Sequence, residues 1–227
     1  MHAPKEITDY LEPIISIYLS DFRHKERSAF ILCDNLIELS CKLRIKERNP
    51  ADNNNRNRDF PGAVVDAKIP KKFMEALLKR HRIRNDMQHE KMGVAIDPQD
   101  CACDILNVVK VIKKLWGKYA LDSASDWVIC ALRIVELYSN SSNMSKKSLL
   151  ENKLLKETDW NFRPYHEEDE KKIVEEDEKK FVKDDGMTKR LPKKNEIIIE
   201  VGAKIYWSLL VREKTELVNQ CLDEILL

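Results

Sequence analysis

The sequence predicts an all-α protein, an antiparallel helical bundle with a charged C-terminal helical extension. Three observations predict this fold class. Only 5 glycines and 8 prolines occur in 227 residues, so the chain is short of the turn residues that hairpins and β-sandwiches need. Apolar residues recur at three- and four-residue steps over long stretches, which is the period of a helix with one buried face. A chain of this length can also bury a substantial core.

Ser20 and Asp21 are suited to cap a first long amphipathic helix that ends near Arg48. Its apolar stripe consists of Phe22, Ala29, Phe30, Cys33, Leu36, Ile37, Cys41 and Leu43. The stretch NPADNNNRNRD, residues 49–59, is almost free of apolar side chains. Such a composition predicts a mobile surface loop.

Two further helices follow this loop. Pro70 is well placed in the first turn of one of them, and Gly93 is a plausible stop. Asp97 before Pro98 predicts the N-terminal cap of the next helix. The apolar residues of these two helices define their inward faces: Phe73, Met74, Leu77 and Leu78 in the first, and Ile105, Val109, Ile112, Trp116 and Tyr119 in the second.

Ser123 with Asp126 repeats the start signal for a fourth helix, and residues 1–139 therefore form the predicted bundle. Residues 140–195 are predicted to be a charged connecting segment. Residues 196–227 are predicted to be a C-terminal helical segment, although the β-branched run from Ile197 to Val201 also suits a strand.

The connecting segment contains the repeat EEDEKKIV–EEDEKKFV, residues 167–182. Each copy places Glu four residues before Lys, an order that favours a helix. A solvated connecting helix is the preferred interpretation, and a cation site or an RNA mimic are the alternatives.

The composition also bears on the compartment. No apolar run reaches the roughly 18 residues that cross a bilayer, and residues 1–10 carry Lys5, Glu6 and Asp9 where a signal peptide would be apolar. Six cysteines occur without a paired C-x-x-C motif. This pattern predicts a cytoplasmic protein with reduced, mostly buried thiols, without a zinc site or a disulfide framework.

Charge is segregated along the chain even though Lys+Arg (40) and Asp+Glu (39) nearly cancel. Residues 42–91 contain 14 basic and 7 acidic side chains, a net charge of +7, whereas residues 166–185 contain 5 and 10, a net charge of −5. A basic face could neutralise RNA phosphates, with Arg80, Arg82 and Lys91 as candidates. The alternative is an ordinary solvated helix face rich in Lys and Arg.

Arg84 and His89 lie within this basic segment, separated by four residues. Such a spacing is expected by chance about once in a chain of this composition, so its context must be considered. Polar Asn85 follows Arg84 directly, whereas apolar Ile83 follows Arg82, the other arginine at a compatible distance from His89. Arg84 is therefore the better candidate.

The segment IRNDMQHEKMG resembles the R-x(4–6)-H motif of the HEPN family, small helical bundles whose nuclease members have Asn, Asp or His after the arginine. KERSAFILCDNLIELSCKL is similar to the early bundle helix of that family, and the resemblance covers residues 15–120. It implies a metal-independent endoribonuclease that needs no cofactor and is usually dimeric, with two motifs meeting in a shared cleft. One branch of toxins, which is silenced by nucleotidyltransferase partners, has a tyrosine where this chain has Lys91.

The chemistry of RNA suits these residues, because the 2′-hydroxyl supplies the nucleophile and the enzyme must supply proton transfer and charge stabilisation. Arg84 would hold the phosphate oxygens, and His89 would act as general base or general acid. Asn85 would orient one of these groups. Asp34 and Glu38, one helical turn apart, are possible supporting residues for His89, or ordinary surface carboxylates. His24, His81 and His166 are expected to be exposed and without a functional partner.

The sequence thus predicts a HEPN-type endoribonuclease, a toxin or antiviral-defence effector that cleaves RNA to 2′,3′-cyclic phosphate and 5′-hydroxyl ends. Single-stranded or tRNA-like RNA would be its substrate, a homodimer its active form, and an antitoxin or ATPase a possible partner. The alternative is a non-catalytic HEPN-like module that binds RNA or protein.

Overall fold

The computed structural model describes residues 2–20, 24–89, 95–157 and 207–226. These residues form helices and contain no strand, which confirms the all-α fold class. The α-helices in this part of the chain are α1 (Lys5–Leu19), α2 (Lys25–Arg48), α3 (Phe60–Asp66), α4 (Lys71–His89), α5 (Pro98–Trp116), α6 (Asp126–Tyr138), α7 (Met144–Glu157), α8 (Trp207–Glu213) and α9 (Thr215–Leu226).

Helix α2 is the centre of one half of the molecule and α6 is the centre of the other. Helix α2 packs on α1, α3, α4 and α5, and α6 packs on α1, α5, α7, α8 and α9. Helices α1 and α5 contact both centres, so a single apolar core runs through the described part of the chain.

The start of α5 confirms the predicted cap. The Asp97 carboxylate accepts hydrogen bonds from the backbone N–H groups of Gln99 and Asp100 at 2.8 and 3.3 Å. Pro98 occupies the first turn, where its missing N–H leaves no hydrogen bond unmade.

Two other predicted starts are displaced. Helix α2 begins at Lys25, after the N-cap residue His24 in the left-handed conformation (φ 61°), so Ser20 does not cap it. Asp21 lies outside the described residues. Ser20 instead is the C-cap of α1, where its hydroxyl donates to the Ile17 carbonyl at 2.6 Å. Helix α6 begins at Asp126, two residues later than a Ser123 cap would place it.

Residues 49–59 are fastened to the bundle, in contrast to the mobile loop that their composition predicts. Asn55 is buried, and its side-chain amide donates to the Lys42 carbonyl of α2 at 2.8 Å. Arg58 forms ion pairs with Asp52 and Asp66, both at 2.6 Å. Side-chain hydrogen bonding thus takes the place of apolar contacts in this segment.

The bundle extends beyond residue 139, the boundary expected from the sequence. Leu150 and Leu154 of α7 are buried, as are Trp207, Leu210 and Leu222 of α8 and α9, and all belong to the common core. The described part of residues 196–227 is therefore helical and packed against α1, α6 and α7. The acidic repeat 167–182 and the run 197–201 lie outside the described residues.

Most of the residues predicted to face inward do so, with one clear exception. Trp116 is 3% exposed and its indole N–H donates to the Glu47 carboxylate, but Tyr119 is 51% exposed. Helix α5 ends at Trp116, before Gly117, so the helical period no longer applies to Tyr119. Five of the six cysteines are buried as free thiols and Cys103 is partly buried, which confirms the prediction of mostly buried, unpaired cysteines.

Among the helices of the described ranges, none is both long enough and apolar enough to cross a bilayer.

Candidate functional site

The candidate site lies where α4 packs on α2. His81, Arg84 and Asn85 share one face of α4 because they are three and four residues apart. Asp34 and Asn35 face them from α2. Helix packing thus collects a carboxylate, two amides, an imidazole and a guanidinium.

These side chains form one continuous hydrogen-bonded chain. His81 Nδ1 lies 2.8 Å from Asp34 Oδ2, and His81 Nε2 lies 3.1 Å from Asn85 Nδ2, both at hydrogen-bond distance. Asn85 Oδ1 accepts from Arg84 Nη1 at 3.0 Å. Arg84 Nη2 donates to Asn35 Oδ1 at 2.9 Å. Each amide orientation is consistent with the roles of its neighbours.

Burial and charge oppose each other at Asp34, whose side chain is 5% exposed. Removal from water raises the pKa of the Asp34 carboxyl, while the hydrogen bond from His81 and the positive charge of Arg84 lower it. Arg84 Nε lies 3.5 Å from Asp34 Oδ2. The Asp34 carboxylate thus contacts both the imidazole and the guanidinium of the cluster.

Helix α3 closes the site on the side of the imidazole. Asp59 caps this helix by accepting a hydrogen bond from Gly62 N–H at 2.9 Å, which places Phe60 at the first position of the helix. The Phe60 ring stacks on His81, with centroids 4.1 Å apart and planes within 6°. The imidazole is therefore fixed by both stacking and hydrogen bonds.

Arg84 can also bind an anion in this position. Its side chain is 19% exposed, and a guanidinium carries five N–H donors, of which Nη1 and Nη2 each use one in the contacts above. Both terminal nitrogens thus keep a donor that the contacts with Asn35 and Asn85 do not use. A phosphate has the fork-shaped acceptor geometry that such donors match.

Helix α4 extends to His89, and the structure describes the helix at this position but not the histidine side chain. Position 89 is five residue steps beyond position 84 on the helix, a rotation of about 140° and a rise of roughly 7.5 Å. The two positions therefore lie on different faces of α4 within one chain. Arg27 of α2 donates to the Met87 carbonyl at 2.7 Å and so anchors this end of α4 to α2.

The three basic residues predicted to bind RNA have different surroundings. Arg80 forms an ion pair with Asp104 of α5, and its guanidinium lies over the Phe30 ring at 4.6 Å. Arg80 is thus engaged with Asp104 and Phe30 within the bundle, although 26% of its side chain remains exposed. Arg82 is exposed on α4, and Lys91 lies outside the described residues.

The two predicted supporting carboxylates also differ. Asp34 bonds to His81, whereas the sequence predicted it to be a support for His89. Glu38 forms an ion pair with Lys42 at 2.7 Å. The expectation that His81 is exposed and without a partner is wrong, because its side chain is 14% exposed and bonded at both nitrogens. The four-residue spacing from His81 to Asn85 was the available signal.

No cluster of three or more potential metal ligands occurs among the described side chains. No protein-family model, curated protein or solved structure matches this chain. The resemblance to the HEPN family therefore depends on the residues and motif spacing quoted above.

Proposed function

We propose that this protein is a HEPN-type, metal-independent endoribonuclease that acts as a homodimer. The observation that supports the proposal is the setting of Arg84, a partly exposed guanidinium fixed by Asn35 and Asn85 with donors left for a phosphate. His89 lies on the same helix, five residues further on. The proposed substrate is single-stranded or tRNA-like RNA, and the proposed role is that of a toxin or antiviral-defence effector.

In the proposed reaction the ribose 2′-oxygen attacks the adjacent phosphorus as its proton passes to a general base. The bond from phosphorus to the 5′-oxygen breaks, and a general acid protonates that oxygen. The products are a 2′,3′-cyclic phosphate and a 5′-hydroxyl. Arg84 stabilises the negative charge that develops on the phosphate oxygens, and His89 transfers a proton.

The geometry of α4 supports a site shared between two subunits. Because positions 84 and 89 are about 140° apart around the helix axis, one chain would have difficulty presenting both side chains to one phosphate. A twofold axis near the end of α4 would instead bring Arg84 of one subunit towards His89 of the other. Exposed Arg82 lies seven residues before His89, about 20° away around the axis, and could contact the RNA backbone.

One observation favours the alternative, a non-catalytic module that binds RNA or protein. Arg84 and Asn85 are tied into a network with His81 and Asp34, so the motif also stabilises the packing of α4 on α2. A protein that kept the motif only for this purpose would bind a partner without cleaving RNA.

The decisive comparison is between His89→Ala and Gln88→Ala, the second changing an exposed neighbour on α4. With total RNA and tRNA as substrates in EDTA, the parent and Gln88→Ala should produce cyclic-phosphate ends. His89→Ala should be slower by at least about 100-fold, the usual contribution of a proton-transfer group. Expression of the parent, but not of His89→Ala, should also arrest growth of a bacterial host.

If the pure parent leaves both RNA pools intact, also with a candidate antitoxin or ATPase partner, the nuclease proposal is wrong and the binding module is favoured. Equal cleavage by His89→Ala and the parent would exclude His89 from the reaction.

A mixed dimer tests the shared site. Coexpressed Arg84→Ala and His89→Ala subunits form one site that lacks both groups and one that has both, if each site takes its arginine and histidine from different chains. The purified heterodimer should then recover about half of the parent rate. Activity no higher than that of the two single-variant homodimers would contradict the shared site.

A further inference from the structure

We propose that His81 is a positioning residue of this site, which acts as a neutral imidazole protonated at Nδ1 and sets the orientation of Arg84 through the Asn85 amide. This inference rests on the proposed ribonuclease function for its catalytic consequence. Its structural part concerns the direction of each hydrogen bond and can be tested without any RNA.

The direction of the hydrogen bonds follows from the two ends of the chain. Asp34 is a carboxylate that accepts, so His81 Nδ1 carries the proton at that 2.8 Å contact. Arg84 can only donate, so Asn85 must turn its oxygen towards Nη1. The Asn85 nitrogen then faces His81 Nε2 at 3.1 Å and donates to it. Only an unprotonated Nε2 can accept this hydrogen bond.

A second proton on His81 would therefore disrupt the chain. An Nε2–H group would face the Asn85 N–H at 3.1 Å, and two donors cannot bond to each other. Rotation of the amide would restore the contact with His81, but it would turn the Asn85 nitrogen towards Arg84 Nη1. One of the two Asn85 contacts is lost in either case, so the hydrogen-bonded link from His81 through Asn85 to Arg84 is broken, while the bond from Arg84 to Asn35 remains.

Among the described residues, three helices contribute the groups around the His81 ring. Helix α2 contributes the Asp34 carboxylate, and Glu38, one turn further on, acts on Asp34 and is itself paired with Lys42. Helix α4 contributes Arg84 and Asn85. Helix α3 contributes the uncharged Phe60 ring.

The first test is a nitrogen-15 NMR spectrum of histidine-labelled full-length protein at about pH 8, with the His81 signals assigned by the His81→Asn variant. We expect the tautomer with Nδ1 protonated and Nε2 bare. A His81 ring protonated at Nε2, or at both nitrogens, at this pH would overturn the inference. RNA cleavage plays no part in this measurement, so it separates a failure of the inference from a failure of the nuclease proposal.

The second test compares two substitutions that each keep one end of the imidazole. His81→Asn places an amide donor near the Nδ1 position and loses the contact with Asn85. His81→Gln places an amide oxygen near the Nε2 position, where it can accept from Asn85 at any pH. If RNA cleavage is established, His81→Asn should be slower than the parent by about tenfold or more, and His81→Gln should recover most of the rate.

The pH profile distinguishes positioning from simple structural support. On the acid side, the cleavage rate of His81→Gln should fall less steeply than that of the parent, because a glutamine amide oxygen can accept from Asn85 at any pH. Parallel acid limbs, or equal rates for His81→Asn and His81→Gln when circular dichroism shows both to be folded, would refute the positioning role.

Discussion

Single residues in this protein show that the same side-chain type serves different purposes within one helical turn. Arg80 and Arg84 are four residues apart on α4, yet Arg80 pairs with Asp104 of α5, and Arg84 bonds to the amides of Asn35 and Asn85. Burial lowers the pKa of the Arg80 guanidinium from its ordinary value, and the Asp104 carboxylate pairs with this partly desolvated charge.

The Arg80 pairing leads to a stability prediction. Asp104→Ala would leave the half-buried guanidinium without its carboxylate, so the free energy of unfolding should fall by about 2–3 kcal/mol. Urea unfolding followed by circular dichroism measures this loss. Asp86→Ala, at an exposed position on α4, is the control and should change stability by no more than about 0.5 kcal/mol. Equal effects of the two substitutions would show that the ion pair is not needed.

At the scale of helices, the start signals in the sequence had different outcomes. Asp97 caps α5 as predicted, through two backbone N–H groups. Ser125 precedes α6, but its side chain makes no cap hydrogen bond. The predicted Ser20–Asp21 cap was wrong because the chain turns through a left-handed residue, His24, before α2 begins. A local capping motif predicts a helix start poorly when several polar residues near a turn could each serve as the N-cap.

The starts of α5 and α6 provide a matched pair of substitutions. Asp97→Ala removes the acceptor for Gln99 and Asp100 N–H and should lower the free energy of unfolding by about 1 kcal/mol. Ser125→Ala removes a side chain that makes no such bond, so its effect should lie within about 0.3 kcal/mol. Denaturant midpoints of the two variants give the comparison, and a larger loss for Ser125→Ala would contradict the assigned caps.

At the scale of the whole molecule, the C-terminal helices complete the core. The described contacts between this region and the rest of the chain include Arg133 with Asn219 and Asp223 at 2.8 and 2.5 Å, and Arg212 with Glu12 at 2.7 Å. Val218 and Leu222 of α9 are fully buried. Helices α8 and α9 are therefore structural parts of the bundle, not an appendage.

Cysteine reactivity should report this docking. Burial raises the pKa of Cys130 to about 12, so at about pH 8 roughly one thiol in 10,000 is ionised, and alkylation should be very slow. Leu222→Asp places a charge in the core and should expose Cys130, whereas Leu226→Asp, at a 42% exposed position, should not. Peptide mass spectrometry after labelling identifies the reacting thiol. Rapid labelling of Cys130 in the parent would contradict the docking of α9.

The sequence by itself determined the helical class, the start of α5 at the Asp97 cap and the burial of most thiols. These features depend on apolar periodicity and on hydrogen bonds between residues near each other in the chain. Only the tertiary structure decided that Arg80 forms an ion pair with Asp104, and that His81 connects Asp34 to Asn85. It also showed that α8 and α9 close the core. Except for the His81–Asn85 contact within one helical turn, these contacts join residues that are between 24 and more than 100 positions apart in the sequence. No local pattern encodes which helices pack together.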